Sequence, residues 1–314
     1  MRIFAVSALR EPPFLAARHH GTDLAAEEST AWAQSFGLIT SGHRLDRLRR
    51  ADAAGLAGRA CPEAPLDRLR LLTDLISWLF VVDDACDEDG LGSAPTRLAP
   101  VVAGLMDVLD RHGDAGAAPP AAGALGAALH DLCRRVRAAG HPALLLRFVS
   151  RLRDYLLALL WEAANREHRR APGVAEYVQM RRHTGGVHPS FALTDLALDG
   201  LPDAGPQAEP ALLAVDTLAA DLVCWCNDVF SYAKERVAPD GHNLVTAIAR
   251  ETRQGEAEAL LAAADRFNGA LAAYLAGEAA LLATGDEAIR PVLTARRNWI
   301  RATYDWSLVA ARYA

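Results

Sequence analysis

Cysteine is scarce and unorganised in this chain. Its five residues, Cys61, Cys86, Cys133, Cys224 and Cys226, show neither metal-knuckle spacing nor a disulfide framework. An odd count in helical context fits a reducing, cytoplasmic setting. Aromatic residues make up only 6% of the chain, so few rings are on hand to line a cavity. Alternating β-branched runs are nearly absent, which argues against sheets. Net charge is −6 with no polybasic run, which argues against general nucleic-acid binding but leaves room for a cationic pocket. No apolar run is long enough to cross a bilayer, since Asp216 and Asp221 interrupt the best candidate. Arg10-Glu11 ends the first apolar stretch before a signal-peptide core develops, so a soluble protein is expected.

What remains is helix after helix, in a chain that is 51% hydrophobic and can bury a large core. Leu66, Leu69, Leu72, Leu75, Ile76 and Leu79 recur at helical spacing, with Arg68, Arg70 and Asp74 as polar interruptions that can turn outward. Similar patterns run from Leu144 to Trp161 and from Ala257 to Leu282. Pro62 and Pro65 precede the first of these helices, and the stretches 113–123 and 200–210 read as loops. Neither marks a domain boundary and no repeat of fixed period exists. The expectation is one all-α domain over residues 1–314.

Two clusters of oxygen-bearing side chains stand out. Asn227, Ser231 and Glu235 are spaced i, i+4, i+8, so a helix puts an amide, a hydroxyl and a carboxylate on one face. These are hard ligands, suited to Mg²⁺ rather than zinc or copper. The second cluster is Asp83-Asp84-Ala85-Cys86-Asp87-Glu88-Asp89, where Asp83 and Asp87 share one face and Asp84 and Glu88 another. Like charges at this spacing repel unless a cation sits between them. A solvated helix end is the plain alternative, but the apolar run Trp78–Val82 just before the cluster favours metal. An EF-hand fails, because Gly90 at loop position six puts Ala85 at one and Thr96 at twelve. Two such clusters suit helices facing each other across a bundle cavity.

With their flanks, these clusters resemble bacterial class I terpene synthases over nearly the whole chain. Asp83-Asp84-x-x-Asp87 is similar to that family's aspartate-rich motif, and Asn227-Asp228-x-x-Ser231-x-x-Lys234-Glu235 to its second metal motif. Trp32 to Leu38, Leu69 to Asp74, His242 to Val245 and the pair Arg312-Tyr313 match further family segments, in order. The family spacing from the second motif places its diphosphate-sensing arginine at Arg181. Thr184 then falls at the linker position, commonly acidic, and Gly185 at the effector carbonyl.

The resemblance implies an all-α helical bundle around a central apolar cavity, ionising a linear isoprenyl diphosphate. Asp83, Asp87, Asn227, Ser231 and Glu235 are expected to hold Mg²⁺, three ions with bound diphosphate. Arg181, Lys234, Arg312 and Tyr313 are expected to donate hydrogen bonds to that diphosphate, the last two ordering when it arrives, with Asp84 pairing Arg312 rather than metal. Trp306 leads the aromatic candidates for the cavity wall, followed by Phe80, Phe148, Trp161 and Trp225. Farnesyl diphosphate is the expected substrate, with geranylgeranyl diphosphate the alternative. A chain-elongating prenyltransferase usually carries two aspartate-rich motifs, and a non-catalytic helical binder has no need to fill every ligand position. No nucleic acid and no integral membrane contact are expected, and a homodimer is left open.

Overall fold

The computed structural model describes residue 4 and residues 7–198, 209–236 and 242–313, with the side chains of residues 209 and 313 outside that set. The helices, in chain order, are α1 (Thr22–Ser35), α2 (Gly42–Ala51), α3 (Ala53–Ala60), α4 (Leu66–Asp87), α5 (Pro95–Asp110), α6 (Gly123–Ala138), α7 (Pro142–Glu167), α8 (Val174–Thr184), α9 (Val187–Ala197), α10 (Glu209–Glu235), α11 (Leu244–Thr252), α12 (Glu256–Leu282) and α13 (Arg290–Val309). No strand occurs among the described residues. The expected helical bundle is what the chain forms. Most of the second expected loop lies outside the described residues.

Helix α4 starts directly after Pro65, whose fixed φ suits a helix entrance, and carries Asp67 in its first turn against the positive end of the dipole. Leu69, Leu72, Leu75 and Ile76 are buried as their spacing requires. Asp74 does not turn outward: it is only 3% exposed and accepts from Arg135 at 2.7 Å. Burial raises its pKa first of all, and the Arg135 charge opposes this. Arg68 and Arg70 do sit at the surface side, with Arg70 on Glu28 at 2.6 Å.

Helix α10 packs against α12 and α13, and α13 against α3. Ala219 and Ala220 on α10 and Ala263 and Ala264 on α12 are all buried, and such small side chains let helices approach closely. The core is continuous from Leu9 to Ala310. Phe148 and Trp225, two of the expected cavity rings, are packed into it and do not line the cavity. Among the described residues no helix is long and apolar enough to cross a membrane.

Candidate active site

A cavity of about 840 Å³ opens between α4, α7, the α8–α9 junction, α10 and α13. That volume lies within the range of small-molecule sites. Asp83 and Asp87 face it from α4, and Asn227, Lys234 and Glu235 from α10. Asp84 is absent from its lining and turns toward α2, where Arg47 Nε stands 3.7 Å from its carboxylate. The heptapeptide of acids thus splits into two faces, as the helix period demands.

Three cations that line the cavity engage the acids at the end of α4. Arg312 reaches Asp83 at 2.5 Å and Asp84 at 3.3 Å, Arg166 reaches Asp87 at 2.5 Å, and Lys234 reaches Glu88 at 2.9 Å. Arg312 thus makes the expected pair with Asp84 and a shorter one with Asp83. The carboxylates of Asp83 and Asp84, and the Phe80 ring 4.6 Å beneath its guanidinium, already supply a seat. Asp83 as well as Asp84 takes part in it. The side chain of Tyr313 lies outside the described residues. Despite these cations, burial and then the charge of Asp83 push Asp87 well above the usual carboxylate range.

On the opposite wall, Arg181 donates from Nη2 to Asn227 Oδ1 and from Nε to Asp228 Oδ1, both at 2.9 Å. Asp228 is fully buried and also accepts from Tyr177 Oη at 2.7 Å and from the Leu244 amide at 3.3 Å. It ties α8, α10 and α11 together at the site. The neighbouring Arg182 points elsewhere on the same helix pair, with Nε and Nη2 on Asp221 at 2.7 and 2.8 Å. Ser231 does not stand level with its row: it is 1% exposed, absent from the cavity lining, and donates to the Asp228 carbonyl at 3.4 Å. Glu235 accepts from Asn243 Nδ2 at 2.8 Å, while burial and the Asp228 charge raise its pKa.

This donor set fits a hard divalent cation. Its ligands are oxygens, and the raised pKa values of Asp87 and Glu235 mark carboxylates whose burial is not fully compensated by the protein's own cations. Among the described residues no three His, Cys, Asp or Glu side chains form a closed cage. A metal here needs ligand atoms from both walls or from a bridging anion.

Between the walls, α8 breaks at Gly185-Gly186 before α9 resumes the path. Gly186 has φ +65°, a conformation that favours glycine. A Cβ on Gly185 would stand 2.8 Å from Cys224 Sγ and 3.0 Å from the Arg181 carbonyl. Thr184 lines the cavity beside this break, and its Oγ1 is buried without a hydrogen-bond partner. It cannot neutralise Arg181 as an acidic linker could, and Asp228 supplies that charge instead.

Part of the cavity wall is aromatic. Trp306 and Phe80 are stacked at 6.1 Å between centroids, and both line the cavity. Trp306 Nε1 donates to the Asp52 carbonyl at 3.1 Å, which fixes the plane of its ring. Asp52 itself has φ +48° and caps α3 through the Gly55 amide. Trp161 instead packs on His242 and donates to Glu176 at 2.8 Å, away from the lining.

Sequence reasoning missed Tyr155, Glu162 and Arg166 on α7, Trp299 on α13, and Arg47 on α2. The first four line the cavity. Tyr155, Glu162 and Arg166 recur at helical spacing on one face, which is a readable signal once α7 is known to border a cavity. Arg47 carries no local signal, because its partners lie far along the chain.

Comparison with known proteins accords with this geometry. The family model described as terpene synthase family 2, C-terminal metal binding, matches residues 74–273. The chain is 35% identical over 306 residues to a farnesyl diphosphate-cyclizing (+)-T-muurolol synthase of Roseiflexus castenholzii, covering 96% of this chain and 92% of that one. It is 31% identical to a (+)-eremophilene synthase of Sorangium cellulosum, covering 97% and 92%. Among solved structures, a variant of cucumene synthase superposes with a TM-score of 0.82 at 27% identity, over 97% of this chain and 100% of that one. An α-eudesmol synthase gives 0.84 at 24% identity, over 96% and 99%, a likeness of fold.

Proposed function

We propose, for a chain that belongs to the bacterial class I terpene synthase family, that it cyclises farnesyl diphosphate to a sesquiterpene. In this reading residues 1–314 work as one α-helical domain in the cytoplasm. Asp83, Asp87, Asn227 and Glu235, with Ser231 set behind them, would hold three magnesium ions together with the diphosphate. Bound magnesium supplies Lewis-acid charge to the diphosphate oxygens as the allylic C–O bond breaks.

The chain's own residues do the rest. Arg181, Lys234, Arg312 and Tyr313 donate charge-assisted hydrogen bonds to the departing diphosphate. Thr184 and Gly185, at the helix break where the Gly185 amide donates to the Arg181 carbonyl, transmit its movement to the cavity. Phe80, Trp299 and Trp306 present ring faces that stabilise cationic carbon without reacting with it. The apolar part of the cavity would shield the carbocation from water while it cyclises.

The observation that carries this reading is the Arg181 fork, which joins the arginine to Asn227 and Asp228 and so mounts a diphosphate donor on a candidate metal wall. Incubation with farnesyl diphosphate and Mg²⁺, followed by gas chromatography–mass spectrometry, should give a cyclic sesquiterpene hydrocarbon or alcohol. Parallel incubation with geranylgeranyl diphosphate tests chain length, and isopentenyl diphosphate plus an allylic partner tests elongation. Absence of any cyclic product from either allylic diphosphate would defeat the proposal.

A further inference from the structure

Of the 33 lysines and arginines in the chain, Lys234 alone is lysine. It stands in the last turn of α10, about half exposed, and spans the cavity mouth to donate from Nζ to Glu88 Oε1 at 2.9 Å. Glu88 closes α4 as its C-terminal cap. Its other oxygen, Oε2, takes Arg47 Nη2 at 2.8 Å. One carboxylate therefore holds two cations from two walls, with one oxygen for each.

Resting on the terpene synthase reading above, we propose that Glu88 is a positioning residue that parks Lys234, and that diphosphate takes the lysine from it on entering. Three features make the exchange easy. The pair is partly exposed, at 48% and 34%, so it is weak enough to yield to a polyanion. Arg47 remains on Glu88 when the lysine leaves, so no carboxylate is orphaned. A lysine is a compact charge on a flexible stem, whereas an arginine fork in its place would compete for both carboxylate oxygens and displace Arg47. In a chain that otherwise uses arginine throughout, this position keeps the side chain that can change partners.

The solitary lysine also supplies the test. Reductive methylation with a carbon-13 label marks only Lys234 and the terminal amine and leaves the charge in place. Titration of the full-length protein with inorganic diphosphate and Mg²⁺ should move the lysine resonance, and in Glu88→Gln that resonance should start displaced toward the bound position. Calorimetry should show magnesium diphosphate binding about two- to five-fold tighter in Glu88→Gln, the scale expected of a weak ion pair. That gain should vanish in a Lys234→Met background, and the Mg²⁺ requirement for turnover should stay unchanged. A lysine resonance that does not move in the wild type, or tightening that persists without the lysine, overturns the proposal. So does weaker diphosphate binding or a raised Mg²⁺ requirement in Glu88→Gln, which would make Glu88 a metal ligand. A wild-type protein that neither binds magnesium diphosphate nor turns over farnesyl diphosphate would defeat the underlying reading itself.

Discussion

Arg312 sits on Asp83 at 2.5 Å, so the cation nearest the C-terminus is seated on the first acid of the aspartate-rich cluster. This pairing makes the two residues competitors. Whatever occupies Asp83 must share it with the guanidinium or displace it, and diphosphate is the natural new partner for the released cation.

Replacing Arg312 should therefore separate catalysis from stability. Arg312→Gln removes a charge-assisted donor at the cavity mouth while leaving Asp83, which is 46% exposed, free to hydrate. We expect kcat/KM for farnesyl diphosphate to fall about 100-fold, the scale of one or two lost ionic hydrogen bonds. The melting temperature should barely change. A variant that retains full activity would show that Arg312 has no part in diphosphate binding.

Asn227→Ala should act more severely. It deletes a candidate metal ligand and leaves Arg181 Nη2 without the oxygen it meets at 2.9 Å. Turnover should drop by roughly 1,000-fold or more, because ligands that act as a set fail together. Chelation of divalent metal should silence the wild type, with recovery on adding Mg²⁺. Steady-state product assays check both, and a fully active Asn227→Ala would show that turnover needs no metal held by Asn227.

Helical periodicity makes the all-α fold and the two oxygen-bearing rows legible in the sequence. The row Asn227, Ser231 and Glu235 could be read because helical spacing fixes which side chains share a face. Spacing says nothing of depth, which is why Ser231 lies buried behind its neighbours. Periodicity lets Asp74 turn outward, because its partner, Arg135, stands 61 residues further along and leaves no local sign. Arg47 escaped notice for the same reason: its partner Glu88 is brought to it only by the packing of α2 near α4. Trp306 was legible and Trp225 misleading, since a ring's type does not say whether it meets a cavity or another helix.

Behind the cavity, Arg296 is 1% exposed and holds Asp195 through Nη1 and Nη2 at 2.6 and 3.0 Å and Asp216 through Nε at 2.5 Å. Its guanidinium also lies 4.2 Å from the Phe191 ring centroid. Arg296→Met would leave two buried carboxylates with only Arg147, 3.1 Å from Asp195 and 3.7 Å from Asp216, to offset them. Breaking a buried ionic set from one side costs about 3–5 kcal/mol, and Arg147 should keep the loss near the lower figure. Urea denaturation measures it, and a loss within experimental error would show that the set contributes nothing to stability.

His188 gives the fold an acid-sensitive point close to that network. Burial, partly opposed by the Asp216 charge and reinforced by Arg151, pushes its pKa down from 6.5 to about 4. The ring packs edge-on to Phe191 at 6.3 Å, where an added proton would be poorly solvated. Between these two values the unfolded chain binds a proton that the folded chain refuses, so unfolding gains as pH falls. The penalty is absent well above pH 6.5, grows as pH drops through the interval, and levels off below about 4 at roughly 3 kcal/mol. His188→Leu removes the titrating group, so the difference in unfolding free energy between variant and wild type should shift toward the variant by that amount from pH 7 to pH 4. Paired urea titrations at several pH values measure this difference, from which the other titrating groups cancel. A difference that stays constant across the interval would mean that His188 is as free to take a proton in the fold as in water.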